Sequence, residues 1–248
     1  MQQAAIEVGS ASAKAALEPL RGENAVLAFV AGYVDTLGFV ALFGLFTAHV
    51  TGNFILIGSG LAGAGSGLLI KWLAFPAFVA GIVGARLLDD RLRQRAHGVR
   101  VGALYFLQIV LLAAFMGAGL FAVPIVNADA PLTIACGLLG AASMGVQNAH
   151  GRLTARSVVA NTVMTGNVTQ AVIDVFDLFA PGTSEAERAL ARGRLATTLP
   201  PVLAFAAGAG AGAAGWLAAS FWALLLPLAL LALVATLACR KADSKDTL

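Results

Sequence analysis

Long apolar stretches separated by short polar ones make up most of the chain. The apolar positions fall into eight pieces, at 24–46, 50–66, 69–88, 101–123, 131–149, 160–179, 197–218 and 221–239. A helix needs about 20 mostly apolar residues to cross a bilayer core. The pattern therefore predicts an all-α, polytopic membrane protein. Two pieces are weak candidates for crossing, because 50–66 is rich in glycine and 160–179 carries two aspartates.

Composition agrees with a membrane protein. Hydrophobic residues make up 59% of the chain and charged residues 12%, with a mean hydropathy of +0.85. A soluble domain is about half apolar and about a quarter charged. The expected partner is thus the lipid bilayer and not nucleic acid. The net charge is +3, but in a membrane protein basic residues mainly mark the cytoplasmic side. Residues 1–23 read as a polar tail without the basic start and apolar run of a signal peptide.

A short polar triplet occurs twice in this apolar chain. Thr51-Gly52-Asn53 returns as Thr165-Gly166-Asn167, and each copy follows a glycine, Gly32 or Gly145, at almost the same distance. Each triplet is also followed by a phenylalanine and a glycine three residues apart, at Phe78 and Gly81 and at Phe205 and Gly208. We interpret the chain as two copies of one unit, at 24–123 and 131–239, and such internal repeats are common in transporter folds.

The order of these motifs resembles that of a known family. GYVD begins at Gly32, FTAHVTGN at Phe46, MGVQNA at Met144 and VMTGN at Val163. In this order they resemble the DUF1275 family, also called YoaK-like or UPF0700 membrane proteins, over roughly residues 24–240. The resemblance implies a six-helix protein of the bacterial cell (inner) membrane. It implies no substrate and no activity.

The basic residues distinguish between models of the topology, because Lys and Arg collect on the cytoplasmic side. If all eight pieces cross, the two sides carry nine and seven basic residues. If neither piece that follows a triplet crosses, every basic residue except Lys71 lies on one side. A seven-helix model gives 13 against 3 and treats the two repeats differently. We therefore expect six helices, with the tails 1–23 and 240–248 both cytoplasmic.

Six helices place three in each unit, and an odd number inverts the second unit relative to the first. Each triplet would then begin a short re-entrant segment, one from each side of the membrane. Inverted repeats of this kind hold their sites near the midplane, at the repeat interface. Irregular backbone is tolerated there only if protein or a water-filled cavity satisfies it.

The triplets supply the chemistry that such a site would need. Thr is a good helix N-cap, Gly allows close approach, and Asn both donates and accepts hydrogen bonds. A helix that begins at a triplet would present free N–H groups and a positive dipole end to an anion or a polar solute. Alternatively, the triplets only cap and cross-link a broken helix. The candidate substrate-binding residues are Thr51, Gly52, Asn53, Thr165, Gly166, Asn167, Gln147 and Asn148.

Asp35 is the candidate for proton or ion coupling. It is the one charged residue between Asn24 and Phe46 and lies in the middle of that apolar span. A charge there costs roughly 2.5–3.5 kcal/mol on insertion scales, and such residues often mark ion paths. The alternative is a neutral or paired aspartate that bonds across helices. Its repeat mate is Asn148, which does not titrate, so any coupling would be asymmetric.

Residues 183–195 are expected to form a short cytoplasmic helix at the membrane interface. Ser184 and Glu187 have the spacing of a capping box at its start.

The function expected from the sequence is a secondary transporter or channel for a small polar or anionic solute. No P-loop, HExxH or GxSxG pattern is present, so neither ATP hydrolysis nor an intramembrane enzyme is expected. No metal or other cofactor is expected, since the histidines and cysteines lack ligand spacing. A structural or regulatory membrane protein is the alternative, and a homodimer through glycine-rich helix faces stays open.

Overall fold

The computed structural model of the protein describes residues 22–154, 162 and 164–246. These residues form helices and no strand. The helices are α1 (Glu23–Ala41), α2 (Gly52–Leu61), α3 (Leu68–Arg91), α4 (His97–Ala122), α5 (Pro131–Leu153), α6 (Thr165–Phe179), α7 (Glu185–Ala219) and α8 (Leu225–Asp246), with a 3-10 turn at Ser220–Leu224. The expected all-helical class is confirmed. Most of the N-terminal tail expected at 1–23 lies outside the described residues, and α8 continues into the tail expected at 240–248.

Five helical segments of the described chain are long and apolar enough to cross a membrane. Four are α1, α3, α4 and α5, and the fifth is the run Glu185–Ala242, which holds α7 and most of α8. That run has 58 residues and would measure about 87 Å if straight, far more than a bilayer core of about 30 Å. The protein is thus a multi-pass membrane protein. Helices α2 and α6 are not among these five segments.

The long C-terminal run is broken at Ser220, and its second part folds back along α4. Ser220 has a φ of 50° and a ψ of −137°, which ends α7. The ring of Phe221 then contacts Phe115, near the end of α4, with centroids 5.6 Å apart. At the other end of α8, the Cys239 thiol donates to the carbonyl of Gly98, near the start of α4, at 3.6 Å. Helices α8 and α4 are therefore antiparallel neighbours.

Two helix pairs cross at glycines, and their contacts match closely. A Cβ added at Gly32 of α1 would lie 2.2 Å from the carbonyl oxygen of Phe205 in α7. A Cβ added at Gly145 of α5 would lie 2.2 Å from the carbonyl oxygen of Phe78 in α3. These backbones approach each other too closely for any side chain at the crossing, as in tightly packed membrane helices.

The reverse contacts of the two crossings match as well. A Cβ added at Gly208 would lie 2.1 Å from the Phe29 oxygen, and one added at Gly81 would lie 2.1 Å from the Ala142 oxygen. Phe29 stands three residues before Gly32, and Ala142 three before Gly145. The α1–α7 and α3–α5 pairs are thus packed by the same glycine pattern.

The bundle has two chemically different ends. At one end the Tyr105 hydroxyl of α4 donates to the Glu23 carboxylate of α1 at 2.6 Å. We call this the Glu23 end. At the opposite end the Lys71 ammonium of α3 donates to the carbonyl oxygens of Phe43 and Ser66. The described arginines lie at the starts of α4 and α7, the ends of α3, α5 and α8, and the turn after α3, all of which belong to the Glu23 end.

The expected short interfacial helix is only partly observed. The Ser184 and Glu187 capping box is confirmed, with both reciprocal hydrogen bonds present. The expectation of a separate helix at 183–195 is wrong, since α7 runs unbroken for 35 residues through Pro200 and Pro201. Prolines are tolerated inside membrane helices because neighbouring groups satisfy the freed backbone. The proline pair therefore does not mark a helix end here.

Candidate functional site

The segment before the first triplet is irregular and deeply buried. We call residues 42–51 the first TGN loop. Leu42, Leu45 and Thr47 in it are fully buried. The Thr47 methyl group would lie 2.9 Å from a Cβ at Gly38 of α1 and 3.1 Å from one at Gly140 of α5. The two glycines make room for the loop between α1 and α5, so its backbone polar groups need partners within the protein.

Asp35 supplies the main partners. One of its carboxylate oxygens, Oδ1, accepts hydrogen bonds from the backbone N–H groups of Thr47 and Ala48, each at 2.7 Å. The Thr47 hydroxyl donates to the same oxygen at 3.3 Å. This carboxylate therefore satisfies buried backbone that no helix or strand satisfies.

Asn53 holds the loop from the other side. Its amide nitrogen donates to the carbonyl of Phe46 at 2.8 Å, and its carbonyl oxygen accepts from the Phe46 N–H at 3.0 Å. The side chain is fully buried. Asn53 thus pairs with one residue of the loop as a strand neighbour would, and its polar atoms face the loop.

His49 completes the contacts of Asp35. The second carboxylate oxygen, Oδ2, lies 2.8 Å from His49 Nδ1, and the His49 side chain is 30% exposed. Beside an ionised carboxylate, Nδ1 carries the proton and donates it. The pair leaves His49 Nε2 as the nitrogen that can bind a further proton or a ligand donor.

The start of α2 differs from the sequence-based expectation. Thr51 occupies the N-cap position, but its side chain makes no capping hydrogen bond. The first N–H groups are also used locally, since Gly52 donates to His49 and Asn53 donates to Val50. The expected row of free N–H groups at this triplet is wrong, because a tight turn precedes the helix and satisfies them.

The second triplet is positioned differently. Helix α6 has Met164 as its N-cap, so Thr165 is its first helical residue and not the expected cap. Asn148 donates to the Thr162 hydroxyl at 2.6 Å, which joins α5 to the segment before α6. Asn167 is buried, and its amide contacts the sulfur of Met164 at 3.7 Å. Residues 155–161 and 163 lie outside the described part.

One cavity brings the two triplets together. It has a volume of about 710 Å³, within the range of ligand pockets. Thr51 and Gly52 of the first triplet and Thr165 of the second line it, together with Asp35 and His49. Its remaining wall is formed by Thr36, Phe39, Phe46, Ile55, Leu56 and Phe205. The cavity is thus mostly apolar, with hydroxyl groups and one carboxylate–imidazole pair.

Comparison with known families decides the family. The model described as "Protein of unknown function (DUF1275)" matches residues 24–237, which is most of the chain. The chain belongs to the DUF1275 family. The resemblance in the motifs is thereby confirmed, and the name of this family assigns no function.

A curated relative points to the same kind of protein. The "UPF0700 transmembrane protein YoaK" of Bacillus subtilis (strain 168) is 25% identical to this DUF1275 protein over 151 residues. The match covers 60% of this chain and 64% of the relative, so it spans just under two thirds of the relative's length. No solved structure matches the chain.

Four of the nine site residues expected from the sequence line the cavity of this DUF1275 protein, namely Asp35, Thr51, Gly52 and Thr165. Asn53, Gly166 and Asn167 belong to the triplets, and Asn148 is bonded to Thr162, but none of these four lines the cavity. Gln147 is a cross-link in the bundle, since it donates to the carbonyl of Leu27 and accepts from Gln108. The carboxamides were expected to face a ligand, but the bonds of Asn53, Gln147 and Asn148 go to protein groups.

His49 and the aromatic wall are the features that sequence reasoning missed. His49 was set aside because it lacks metal-ligand spacing. Its partner Asp35 stands 14 residues earlier, and the contact requires the first TGN loop to fold back onto α1. The usable signal was the position of His49, two residues before a repeated triplet.

Proposed function

We propose that this protein is a secondary transporter or channel for a small polar solute, which binds in the 710 Å³ cavity. One observation carries the proposal. Thr51 and Thr165, the first residues of the two triplets, line the same cavity although they are far apart in sequence. A site built at the meeting of two repeats is typical of transporters.

The matched glycine crossings support two inverted repeats. Phe29 lies against Gly208 and Tyr33 against Gly212, so α1 and α7 run in the same direction. Ile70 lies against Gly137, and Ala85, near the end of α3, clusters with Val146 and Ala149, near the end of α5. The α3–α5 pair is therefore parallel too. In the proposed repeat α1 corresponds to α5 and α7 to α3, so the two pairs are equivalent, and a repeat of three spans requires both pairs to be parallel.

The charge distribution supports six spans with both tails in the cytoplasm of a bacterial cell. Arginines gather at the Glu23 end, and Lys71 is at the other end. By the positive-inside rule the Glu23 end is cytoplasmic. The six spans are then α1, α3, α4, α5, α7 and α8. Helices α2 and α6 are re-entrant and enter from opposite sides.

The triplet residues and the polar residues around them take different roles in this proposal. Thr51, Gly52 and Thr165 contact the solute, and Asp35 with His49 couples its movement to an ion. Asn53, Gln147 and Asn148 hold the elements that form the site, while Gly166 and Asn167 place the start of α6. The protein is not an enzyme in this proposal, and it needs no cofactor.

Accessibility of single cysteines tests the proposal. Phe54→Cys and Val168→Cys place a thiol just after each triplet, at side chains that are 45% and 43% exposed. Both are made in a chain that carries Cys136→Ala and Cys239→Ala. A membrane-impermeant thiol reagent should label position 54 from the outside and position 168 from the cytoplasm.

Two other outcomes contradict the proposal. Labelling of both positions from one face would exclude the inverted arrangement. Absence of labelling from both faces would exclude a water-lined path and favour the structural or regulatory alternative. Pro181→Cys, in the exposed turn before α7, is the control and should be labelled from the cytoplasm.

A further inference from the structure

The lining of the cavity has an acidic side chain and no lysine or arginine. The lining holds one carboxylate, Asp35, and one imidazole, His49. Lys71 is tied to the backbone carbonyls of Phe43 and Ser66. The described arginines belong to the Glu23 end. With a neutral His49, the cavity therefore carries a formal negative charge that no basic side chain of its own lining balances.

The wall beside this charge is a row of rings. The centroids of Phe39 and Phe46 are 4.8 Å apart, those of Phe46 and His49 6.3 Å, and those of His49 and Phe205 5.2 Å. A cation within about 6 Å of a ring centroid is attracted by the face of the ring, and quaternary ammonium ligands use such sites. Aromatic rings beside a carboxylate favour a cation over an anion.

We propose that the cavity binds a small organic cation of the substituted ammonium class, and that this cation and a proton on His49 exclude each other. The inference rests on the proposed function and specifies its substrate and its coupling ion. It narrows the class of solute expected from the sequence, because the carboxylate in the lining attracts a polar cation and repels an anion.

The exclusion follows from the geometry of the pair. Asp35 Oδ2 is bound to His49 Nδ1 at 2.8 Å, so the added proton goes to Nε2. The protonated pair is neutral overall and no longer attracts a cation. A cation that enters the cavity instead makes the imidazolium unfavourable, because two positive charges would share a small, partly apolar space.

No other titratable group of the lining enters this exchange. Helix α1 contributes Asp35 and Thr36, and the first TGN loop contributes His49 and Phe46. The first TGN loop and α6 contribute the hydroxyls of Thr51 and Thr165, and α7 contributes Phe205. The outcome is an exchange in which one proton leaves as one ammonium ion binds.

Calorimetric titration of the purified full-length protein tests the proposal. The probes are tetramethylammonium, benzyltrimethylammonium and choline, with dimethylbutanol and dimethylbutanoate as neutral and anionic analogues of choline. At least one of the cations should bind, and its affinity should fall at least tenfold from about pH 7.5 to about pH 5.5, across the range in which imidazole titrates. Buffers of different ionisation enthalpy should report a proton release per cation that rises towards one as the pH falls from about 7.5 to about 5.5.

Variants distinguish the role of His49 from that of Asp35. His49→Gln should keep cation binding and lose its dependence on pH. Asp35→Asn keeps an oxygen for the Thr47 and Ala48 N–H groups, so the fold should persist while cation affinity falls at least tenfold. His97→Gln, at the start of α4 and outside the cavity lining, is the control and should behave as the unaltered protein.

Three results would overturn the proposal. They are binding of the anion in preference to choline, cation binding that does not change with pH, and no binding of any of the three cations. If no cation binds while positions 54 and 168 are labelled from opposite faces, the transport proposal stands and the ammonium class is wrong. If neither labelling nor binding occurs, both proposals fail.

Discussion

The two halves of the molecule share a packing pattern but differ in polar chemistry. Gly32 and Gly145 approach the carbonyls of Phe205 and Phe78 at the same distance. Three residues after these glycines, one half has Asp35 and the other Asn148. Asp35 binds two backbone N–H groups and His49, whereas Asn148 donates to one threonine hydroxyl.

The matched glycine crossings thus supply a scaffold to both halves, while the carboxylate and the imidazole of the cavity both come from the first half. Close helix crossings tolerate no side chain, so they constrain both halves alike. The polar residue that follows each crossing binds residues that precede a triplet, namely Thr47 and Ala48 in the first half and Thr162 in the second. Only in the first half does the same residue also carry a charge into the cavity.

The largest effect on stability should come from adding a side chain at the glycine crossings. Gly32→Ala and Gly145→Ala would each place a methyl group 2.2 Å from a backbone oxygen, so the helices must separate. We expect a loss of about 3 kcal/mol in the free energy of unfolding for each, measured by denaturant unfolding in detergent. Gly84→Ala, which meets nothing within 4 Å, should change it by less than about 0.5 kcal/mol. Equal effects of the three substitutions would contradict the matched crossings.

Removal of the polar residue after each glycine crossing should destabilise the two halves to different extents. Asp35→Ala leaves the Thr47 and Ala48 N–H groups buried without partners, which should cost about 2–3 kcal/mol of unfolding free energy. Asn148→Ala removes one side-chain hydrogen bond and should cost about 1 kcal/mol. The same unfolding assay measures both. A larger loss for Asn148→Ala would show that the second half depends more on its polar residue than the first.

Asn53 should matter more than its position at the start of a helix implies. Asn53→Ala removes both bonds to Phe46 and leaves the part-buried Phe46 N–H and carbonyl without these partners, so we expect a loss of about 1–2 kcal/mol. Limited proteolysis of the first TGN loop should rise in parallel with the loss of unfolding free energy. Protection equal to that of the unaltered protein would show that Asn53 does not hold the loop.

The smallest effect is expected at Thr51. A threonine that caps a helix with its side chain loses about 0.5–2 kcal/mol on change to alanine, but Thr51 makes no such bond. Thr51→Ala should therefore change the unfolding free energy by less than about 0.5 kcal/mol. A loss above about 1 kcal/mol would mean that the hydroxyl does cap α2, and it would weaken its role in the cavity.

Much of the scaffold could be predicted from the sequence, because lipid imposes simple rules on it. Long apolar runs predicted the membrane helices. The glycines that aligned the repeat proved to be the residues at the two crossings. The length of α7 was missed, since the prolines at 200 and 201 predict a break in water but are tolerated in a bundle.

The cavity could be predicted only in part. The repeated threonines were found because repetition is visible in a sequence. The pairing of Asp35 with His49 was not, since it depends on how an irregular loop folds back. The amides of Asn53 and Gln147 bind backbone groups, and backbone partners leave no trace in residue types. Polar residues that looked available for a ligand are therefore used by the protein itself.

Cross-linking of the two triplets tests the central claim most directly. Thr51→Cys and Thr165→Cys are combined in the chain without Cys136 and Cys239, and membranes are treated with a short bifunctional thiol reagent. Phe179→Cys, about 21 Å along α6 from Thr165, replaces the second cysteine in the control. We predict an intramolecular cross-link for the first pair and none for the control pair. Absence of a cross-link between positions 51 and 165, with both thiols reactive to a monofunctional reagent, would contradict a shared cavity.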